Sequence, residues 1–568
     1  MSECKILEKL PNTIGKLSNL LELNLHNCKQ LTSLPDSIGE LVKISKLDLF
    51  SCEGLTCLPE SIGKLSNLLE LNMRGCKGLA RLPDSIGDLV KLSKFDLSGC
   101  EGLTCLSESI GKLSNLLELM LFKCMGLTSL PDSIGELVKI SKLDLVWCVC
   151  LTCLPESIGK LSNLLELKMR ECKGLTNIPD SIGELVKISK LDFSWCQGLV
   201  CLPESISKLS NLLELNMEGC KGLTILPDSI GELVKLSKLD LLLFERLTCL
   251  PKSIGKLSNL LELNVKGCKA LIILPESIGE LVELSKLDLC GCEGLTCLPE
   301  SIGKLSNLLE LNMRGCKGVT SLPNSIGELG ELSKFHLSYC GGLTCLTEPI
   351  GKLSNLLELN MRGCKGLTSL PESIGELVKI SKFNLSGCEG LTCLPEPIGK
   401  LSNLLELNLY LSKNLTSLPD TLGNLTQLQK LEVASCENLV ELPQSTGGLS
   451  QLSRLDLSGC HKWEWMKASQ ISLLHELQQH GCSQILLPDE RQYHGKYSTE
   501  YCSSGTAGCD GCGLTPISSK CWHCDICRAF DLCESCYERR HELDQLRRQS
   551  EHVEDHPMTA ITVCVVKS

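Results

Sequence analysis

The chain has 568 residues, a formal net charge of −12 at pH 7, only 3% aromatic residues and 38 cysteines. The acidic balance excludes a nucleic-acid backbone as the main partner, since that needs a basic surface. Without a run of about 18 apolar residues, no membrane-spanning helix is expected. The opening residues, MSECKILEKLPNTIG, lack the apolar core of a secretory leader. The thiols are therefore expected to be reduced or metal-bound, in a cytoplasmic or nuclear setting, rather than paired as disulfides.

From the start of the chain one phrase recurs. Its closing cysteine falls at Cys4, Cys28, Cys52 and Cys76 and continues to Cys460 at a constant spacing of twenty-four, without insertion or deletion. Phe244 and Ser412 are the two replacements. The unit reads L-x-x-L-x-L-x-x-C-x-x-L-T-x-L-P-x-S-I-G-x-L-x-x. Leu71 and Met73 alternate with Glu70, Asn72 and Arg74, which predicts a short strand with one buried face. Pro83 and its equivalents stop the ladder, and the SIG segment predicts a 3₁₀ turn on the return limb. One unit cannot bury its leucines alone; stacked units share a continuous core. Parallel strands about 4.8 Å apart would line a concave face roughly 90 Å long.

A longer period lies over the first. Units alternate between LPESIGKLSNLLELNMRGC and LPDSIGELVKISKLDLSGC, so the duplicated block is 48 residues. Glu22, Lys46, Glu70 and Lys94 begin a rail of alternating charge that runs on to Glu406 and Lys430. Its main effect is to keep like charges apart on neighbouring strands. The array opens at Cys4 with no capping repeat in view, so a longer array or a covering chain is expected there. After Cys460 the phrase breaks, and SQISLLHELQQHG reads as an amphipathic capping helix followed by a polar linker.

The phrase LPDSIGELVKLSKLDLSGCEGLTCLPE resembles the leucine-rich repeats of plant disease-resistance receptors and of Shoc2-type small-GTPase scaffolds. The resemblance implies an α/β repeat solenoid, the leucine-rich-repeat horseshoe, with a protein partner on its concave face and Cys standing where a ladder Asn is usual. No G-x-x-x-x-G-K-[ST] phosphate loop accompanies it. Contact anchors are expected in the outward column that contains Phe50, Phe122, Val146, Leu242 and Tyr410, apolar residues at positions meant for solvent. Cys290 falls in the same column and is expected to be accessible to oxidation.

The last cysteines follow a different rule. CDGCGLTPISSKCWHCDICRAFDLCESC, residues 509–536, contains the C-x-x-C pairs Cys509/Cys512, Cys524/Cys527 and Cys533/Cys536, and His552 and His556 follow. Eight such ligands suffice for two closed tetrahedral zinc sites, and metal binding would supply much of the folding energy of so small a segment. CDGC, KCWHCDIC, DLCESCY and the closing HPM resemble the ZZ-type zinc finger. That resemblance implies a cross-brace, with Cys509, Cys512, Cys533 and Cys536 on one structural Zn²⁺ and Cys524, Cys527, His552 and His556 on the other. The segment before the His pair is longer than the family usually carries, which makes His541 a competing ligand. Cys502 and Cys521 fall outside the pairs. Asp510 and Asp531 match acidic positions that hold a cationic peptide in such fingers, whereas Ala529 stands where some members have a second Asp. With 8 Lys and Arg against 11 Asp and Glu, the segment suits a basic peptide rather than nucleic acid.

The expected organisation is a leucine-rich repeat solenoid at 1–465, a cap helix and linker at 466–493, and a ZZ-type finger at 494–568. The expected function is that of a non-enzymatic adaptor whose repeats and zinc finger each bind a protein, in signalling or defence. The alternative is a RING-like ubiquitin ligase, since RING domains also cross-brace two zinc ions. G-x-S-x-G, H-E-x-x-H and H-R-D motifs are absent from the sequence.

Overall fold

In the computed structural model the described residues are 4, 6–463, 467–488, 520–524, 531–533 and 558–562. The chain divides into two compact units, residues 1–340 and 341–568. In the first, three-residue parallel strands recur once per repeat, from β1 (Glu22–Asn24) and β2 (Lys46–Asp48) to β14 (Lys334–His336). Neighbours pair in strict register: Glu22 with Lys46, Leu23 with Leu47, Asn24 with Asp48. The second unit repeats the arrangement from β15 (Glu358–Asn360) to β19 (Arg454–Asp456). The central residue of each strand is buried and the flanking pair faces outward, as the alternation requires.

The return limb begins where the proline removes a backbone donor. Pro83 sits at φ −70° and ψ 155°, and a 3₁₀ turn follows over Asp84–Asp88, closed by the Leu89 N–H on the Ile86 carbonyl. Among the described residues the repeats hold only turns of this kind, so their α component is absent and the one α-helix belongs to the cap. The glycine of the SIG segment has a steric reason. A Cβ on Gly87 would lie 2.3 Å from the Ser109 carbonyl oxygen of the next repeat.

Leucines, isoleucines and the closing cysteines form the core of both units, most of them at 0% exposure. The thiols also act as donors. The Cys52 Sγ–H donates to the Leu25 carbonyl at 3.2 Å, Cys148 to Leu121 at 3.2 Å and Cys316 to Leu289 at 3.2 Å. Each bond runs back to the residue just after the strand of the preceding repeat. That carbonyl already accepts a turn N–H, as Leu25 does from Cys28 at 3.2 Å, so the thiol takes its second lone pair. Ser412 keeps the pattern through its hydroxyl, 3.0 Å from the Leu385 carbonyl. Phe244 fills the same place by volume, fully buried and without a side-chain donor.

Beyond Cys460 the ladder gains one more rung. The helix α1 (Ala468–Gln479) buries Leu473 and Leu477, and after it β20 (Gln484–Leu486) pairs parallel with β19, Arg454 against Gln484. Gln470 ties the helix to the last repeat. Its Oε1 accepts the Leu442 N–H at 3.0 Å and the Trp463 indole N–H at 3.0 Å, and its Nε2 donates to the Leu442 carbonyl at 2.9 Å. Three further strands, β21 (Lys520–Cys524), β22 (Asp531–Cys533) and β23 (Met558–Thr562), form an antiparallel sheet in the order β22-β21-β23.

Burial pushes the Cys52, Cys124, Cys292 and Cys460 thiols up to about 12 from an ordinary value of 9.0. Below pH 9 both folded and unfolded chains keep these protons. Between about 9 and 12 only the unfolded chain loses them, so stability falls as pH rises through that window. We expect the guanidinium midpoint to be flat from pH 7 to about 8.5 and to drop steeply above 9, with iodoacetamide labelling of the ladder cysteines tracking the unfolded fraction. A midpoint that stays flat to pH 11 would contradict a protonated thiol ladder.

Candidate functional site

Two sets of chemically distinctive residues stand out, one on the outward strand face of the repeats and one in the C-terminal cysteine segment. On the strand face the charge rail forms as the alternation implies. Lys46 reaches Glu70 at 3.2 Å, Lys190 reaches Glu214 at 2.8 Å and Lys238 reaches Glu262 at 3.4 Å. Being exposed, these pairs add little stability individually. The next outward column shapes the strand ends. Asp48 Oδ1 accepts the Phe50 N–H at 3.0 Å and the Asn72 amide at 3.0 Å, and Asn72 Oδ1 accepts the Arg74 N–H at 3.1 Å. At Asp144, 8% exposed, burial pushes the carboxyl up against the hydrogen bond from the Val146 N–H.

The column expected to supply exposed apolar anchors does so only at Tyr410, which is 40% exposed. Phe50, Phe122, Val146 and Leu242 are half-buried. Phe50 meets the His26 ring edge-on at 5.3 Å, which shows the cause: long side chains in this column lie across the neighbouring repeat. Cys290 is half-buried as well, and burial pushes its thiol up.

More exposed aromatic surface comes from the position just before the closing Cys. Backbone φ there is positive, and glycine is common, as at Gly75 (78°) and Gly99 (74°). Trp147 (65°), Glu171 (64°), Trp195 (62°) and Tyr339 (62°) hold the same left-handed conformation with large side chains. Trp147 is 38% exposed and Tyr339 40%. Each ring has a cation over it: Lys173 Nζ is 5.9 Å from the Trp147 ring and the Arg314 guanidinium carbon 5.4 Å from the Tyr339 ring. Hydropathy alone does not find these residues. The signal that does is the replacement of Gly before Cys.

A strip of thiols lies two residues before the proline position, which is Thr347 in the repeat of Cys345. Cys57, Cys153, Cys249, Cys297, Cys345 and Cys393 are exposed, in contrast to the buried ladder. Among the described residues, no three His, Cys, Asp or Glu side chains group as a metal site. No helix of those residues is long and apolar enough to cross a membrane.

For the C-terminal segment the structure gives backbone register. Cys521 pairs with Cys533 across β21 and β22, and Cys524 pairs with Met558 across β21 and β23. The second pairing sets Cys524 beside the residue two positions after His556. Asp531 opens β22. Cys509, Asp510, Cys512, Cys527, Ala529, Cys536, His541, His552 and His556 lie outside the described residues, as does Cys502.

Comparison with known proteins accounts for both parts. Residues 335–485 match the leucine-rich repeat region family model and residues 504–546 match the ZZ-type zinc finger. A solved leucine-rich repeat protein of Leptospira interrogans is 28% identical, covering 75% of this chain and 100% of its own, with a TM-score of 0.48. A plant peptide hormone receptor solved with the peptide RGF2 is 21% identical over 84% of this chain and 88% of its own, with a TM-score of 0.43. The auxin transport protein BIG of Oryza sativa subsp. japonica is 48% identical over 66 residues, 12% of this chain and 1% of that one. The chain thus spans about one hundredth of the length of that curated relative. It carries a leucine-rich repeat region and, C-terminal to it, a ZZ-type finger, a zinc-binding module. The paired cysteines fit that metal, since C-x-x-C thiols are the usual donors of a closed structural zinc site.

Trp147 sits in a conformation that suits glycine. Trp147→Gly is expected to leave the unfolding free energy unchanged or to raise it, by up to about 1 kcal/mol, whereas Trp147→Ala keeps the left-handed strain and gains nothing. Guanidinium titrations of the two variants check this; a marked loss of stability in the glycine variant would show that the indole holds the repeats together.

Proposed function

We propose that this protein is a non-enzymatic adaptor. Its repeats bind one protein partner on the outward strand face and its zinc finger binds a second protein or peptide, in signalling or defence. The observation that carries the reading is the joining in one chain of two interaction modules, a repeat array and a ZZ-type finger. The exposed thiols of the repeats suit a reducing cytoplasmic or nuclear compartment.

In this reading Cys509, Cys512, Cys533 and Cys536 hold one zinc ion, and Cys524, Cys527, His552 and His556 hold the second. The register of Cys524 against Met558 supports the second set, because it brings β21, which ends at Cys524, alongside the chain that leaves His556. The matched family span ends at residue 546, before the His pair and after His541. His541 is therefore the alternative nitrogen ligand. Zinc in such closed sites supplies structure, by holding thiolates that would otherwise repel. Asp510 and Asp531 then offer carboxylates to a cationic peptide.

Elemental analysis of the purified chain is expected to find two zinc ions per molecule. It should still find two in His541→Ala and fewer in His552→Ala/His556→Ala; the reverse pattern would move the ligand to His541. Affinity capture with mass spectrometry tests the adaptor reading itself. The intact chain should retain two partner sets, and Cys524→Ala/Cys527→Ala should lose one while keeping the other. Failure to retain any partner reproducibly would sink the adaptor assignment.

A further inference from the structure

The repeats are near copies, so they act as their own alignment. On the return limb the wording scarcely changes: residues 130–141 read LPDSIGELVKIS, 154–165 LPESIGKLSNLL, 178–189 IPDSIGELVKIS and 202–213 LPESISKLSNLL. Even exposed apolar positions there are retained. Val138 and Val186, 46% and 43% exposed, repeat Val90 at 45%, and Leu165 at 52% repeats Leu69 at 45%.

The strand-and-turn segment behaves differently. Residues 70–76 and 310–316 both read ELNMRGC, and 94–100 read KFDLSGC. Other repeats also vary, as KLDLLLF at 238–244 and KFHLSYC at 334–340 do, but four in succession carry a large side chain in place of the glycine before Cys: ELMLFKC at 118–124, KLDLVWC at 142–148, ELKMREC at 166–172 and KLDFSWC at 190–196. They carry β5 (Glu118–Met120), β6 (Lys142–Asp144), β7 (Glu166–Lys168) and β8 (Lys190–Asp192). Their buried apolar positions remain Leu, Met, Phe or Cys, and the changes fall on outward residues, among them Phe122, Trp147, Lys168 and Trp195. Unselected drift would spread over both exposed limbs of these repeats. Here it is concentrated on the strand-and-turn limb, the return limb changing at few places such as Ser207, and it has placed Lys123, Trp147, Glu171 and Trp195 at positive φ, where glycine is the unstrained residue.

Charges on this face are unevenly satisfied. Glu171 has only 14% of its side chain exposed and pairs with Lys173 at 3.4 Å. Asp144 and Asp192 accept the N–H of Val146 and Ser194 at 3.0 and 2.9 Å. Lys123 reaches Glu101 at 3.5 Å and Lys168 reaches Glu166 at 3.0 Å. Arg170 is exposed, and among the described residues its guanidinium has no hydrogen bond or ion pair. Arg170 lies in the repeat between those of Trp147 and Trp195, and its carbonyl accepts the Trp147 N–H at 2.8 Å. A free guanidinium so placed suits a carboxylate held in bidentate fashion, with apolar groups packing on the neighbouring rings.

We propose that the outward face of β5–β8 docks an extended segment of a partner protein in which an Asp or Glu side chain, held by Arg170, is flanked by large apolar side chains lying against Trp147 and Trp195. The proposal rests on the adaptor reading and names the chemistry of the partner on the repeat side. A library of random short peptides displayed on phage and selected on the full chain tests it, followed by fluorescence anisotropy of the selected peptides.

The selected peptides should share an acidic residue next to aromatic or aliphatic ones. Arg170→Gln and Trp147→Gly should each weaken binding by about tenfold or more. Arg74→Gln and Arg314→Gln, in the same column of unaltered repeats, should not. Trp147→Gly suits the left-handed backbone, so its loss of binding reads the indole rather than the fold. Selected peptides without a carboxylate overturn the proposal, as does binding indifferent to Arg170→Gln and Trp147→Gly. Self-association abolished by the same variants would instead assign the face to a second copy of the chain. If partners are still captured by the full chain but ignore these variants, the adaptor reading survives and the docking site fails; if none is captured, both fail.

Discussion

Everything in the repeat array depends on one constraint: strands only three residues long must stack in register at the unvarying interval that separates Glu22 from Lys46. Three residues make too few ladder hydrogen bonds to fix a strand, so the backbone beyond each strand is satisfied from the neighbouring repeat. The Leu25 N–H donates to the Asp48 carbonyl at 2.8 Å and the Asn27 N–H to the Phe50 carbonyl at 2.7 Å, while the Cys52 thiol returns a bond to Leu25. A single inserted residue would misplace all three. The strict spacing is therefore a hydrogen-bonding requirement as well as a mark of duplication.

The two-repeat block has a physical basis too. Three pairing systems need unlike neighbours. The strand rail sets Lys against Glu. The turn after the closing Cys pairs Lys29 with Glu53 at 2.7 Å. On the return limb Lys43 donates to Asn19 at 2.7 Å, while Asn67 donates to the Val42 carbonyl at 2.8 Å. Duplicating a single repeat would put like beside like in each system, whereas duplicating a pair preserves all of them. Individually these exposed contacts are weak, but the alternation avoids repeated like-charge contacts along each unit.

Much of this was legible from the residues. Buried leucines at fixed intervals, a proline that must end a ladder and paired cysteines at zinc-ligand spacing all have one dominant physical meaning. The misses share a cause, which is dependence on what lies alongside. β20 escaped because α1 intervenes, so Gln484 follows Arg454 by more than one repeat length and falls out of phase with the array. Phe50 and Phe122 look exposed in the sequence because strand alternation says which way a side chain leaves the backbone, and not what it then lies against. Trp147 and Tyr339 escaped because the left-handed turn is a property of φ, visible in sequence only as the glycine they replace. In the zinc finger the spacing was legible, but the assignment of ligands to ions came from the resemblance and not from the spacing.

The left-handed position also shows how the array tolerates strain. At Trp195 and Leu243 the next repeat supplies the space. A Cβ on Gly219 would lie 2.8 Å from the Trp195 indole, and one on Gly267 would lie 2.7 Å from the Leu243 side chain. Trp195 and Leu243 thus lean toward the following repeat and are compatible only with glycine there. Trp147 is followed instead by Glu171, whose carboxylate end is drawn down to Lys173, while the indole remains 38% exposed. Trp147 therefore lacks the glycine that follows Trp195, and the cation that accompanies its ring belongs to the neighbouring turn. A solenoid repeat interacts chiefly with its two neighbours, so the cost of such a residue stays local. That locality allows one stretch of the array to change its outward residues while the buried framework of the repeats around it stays the same.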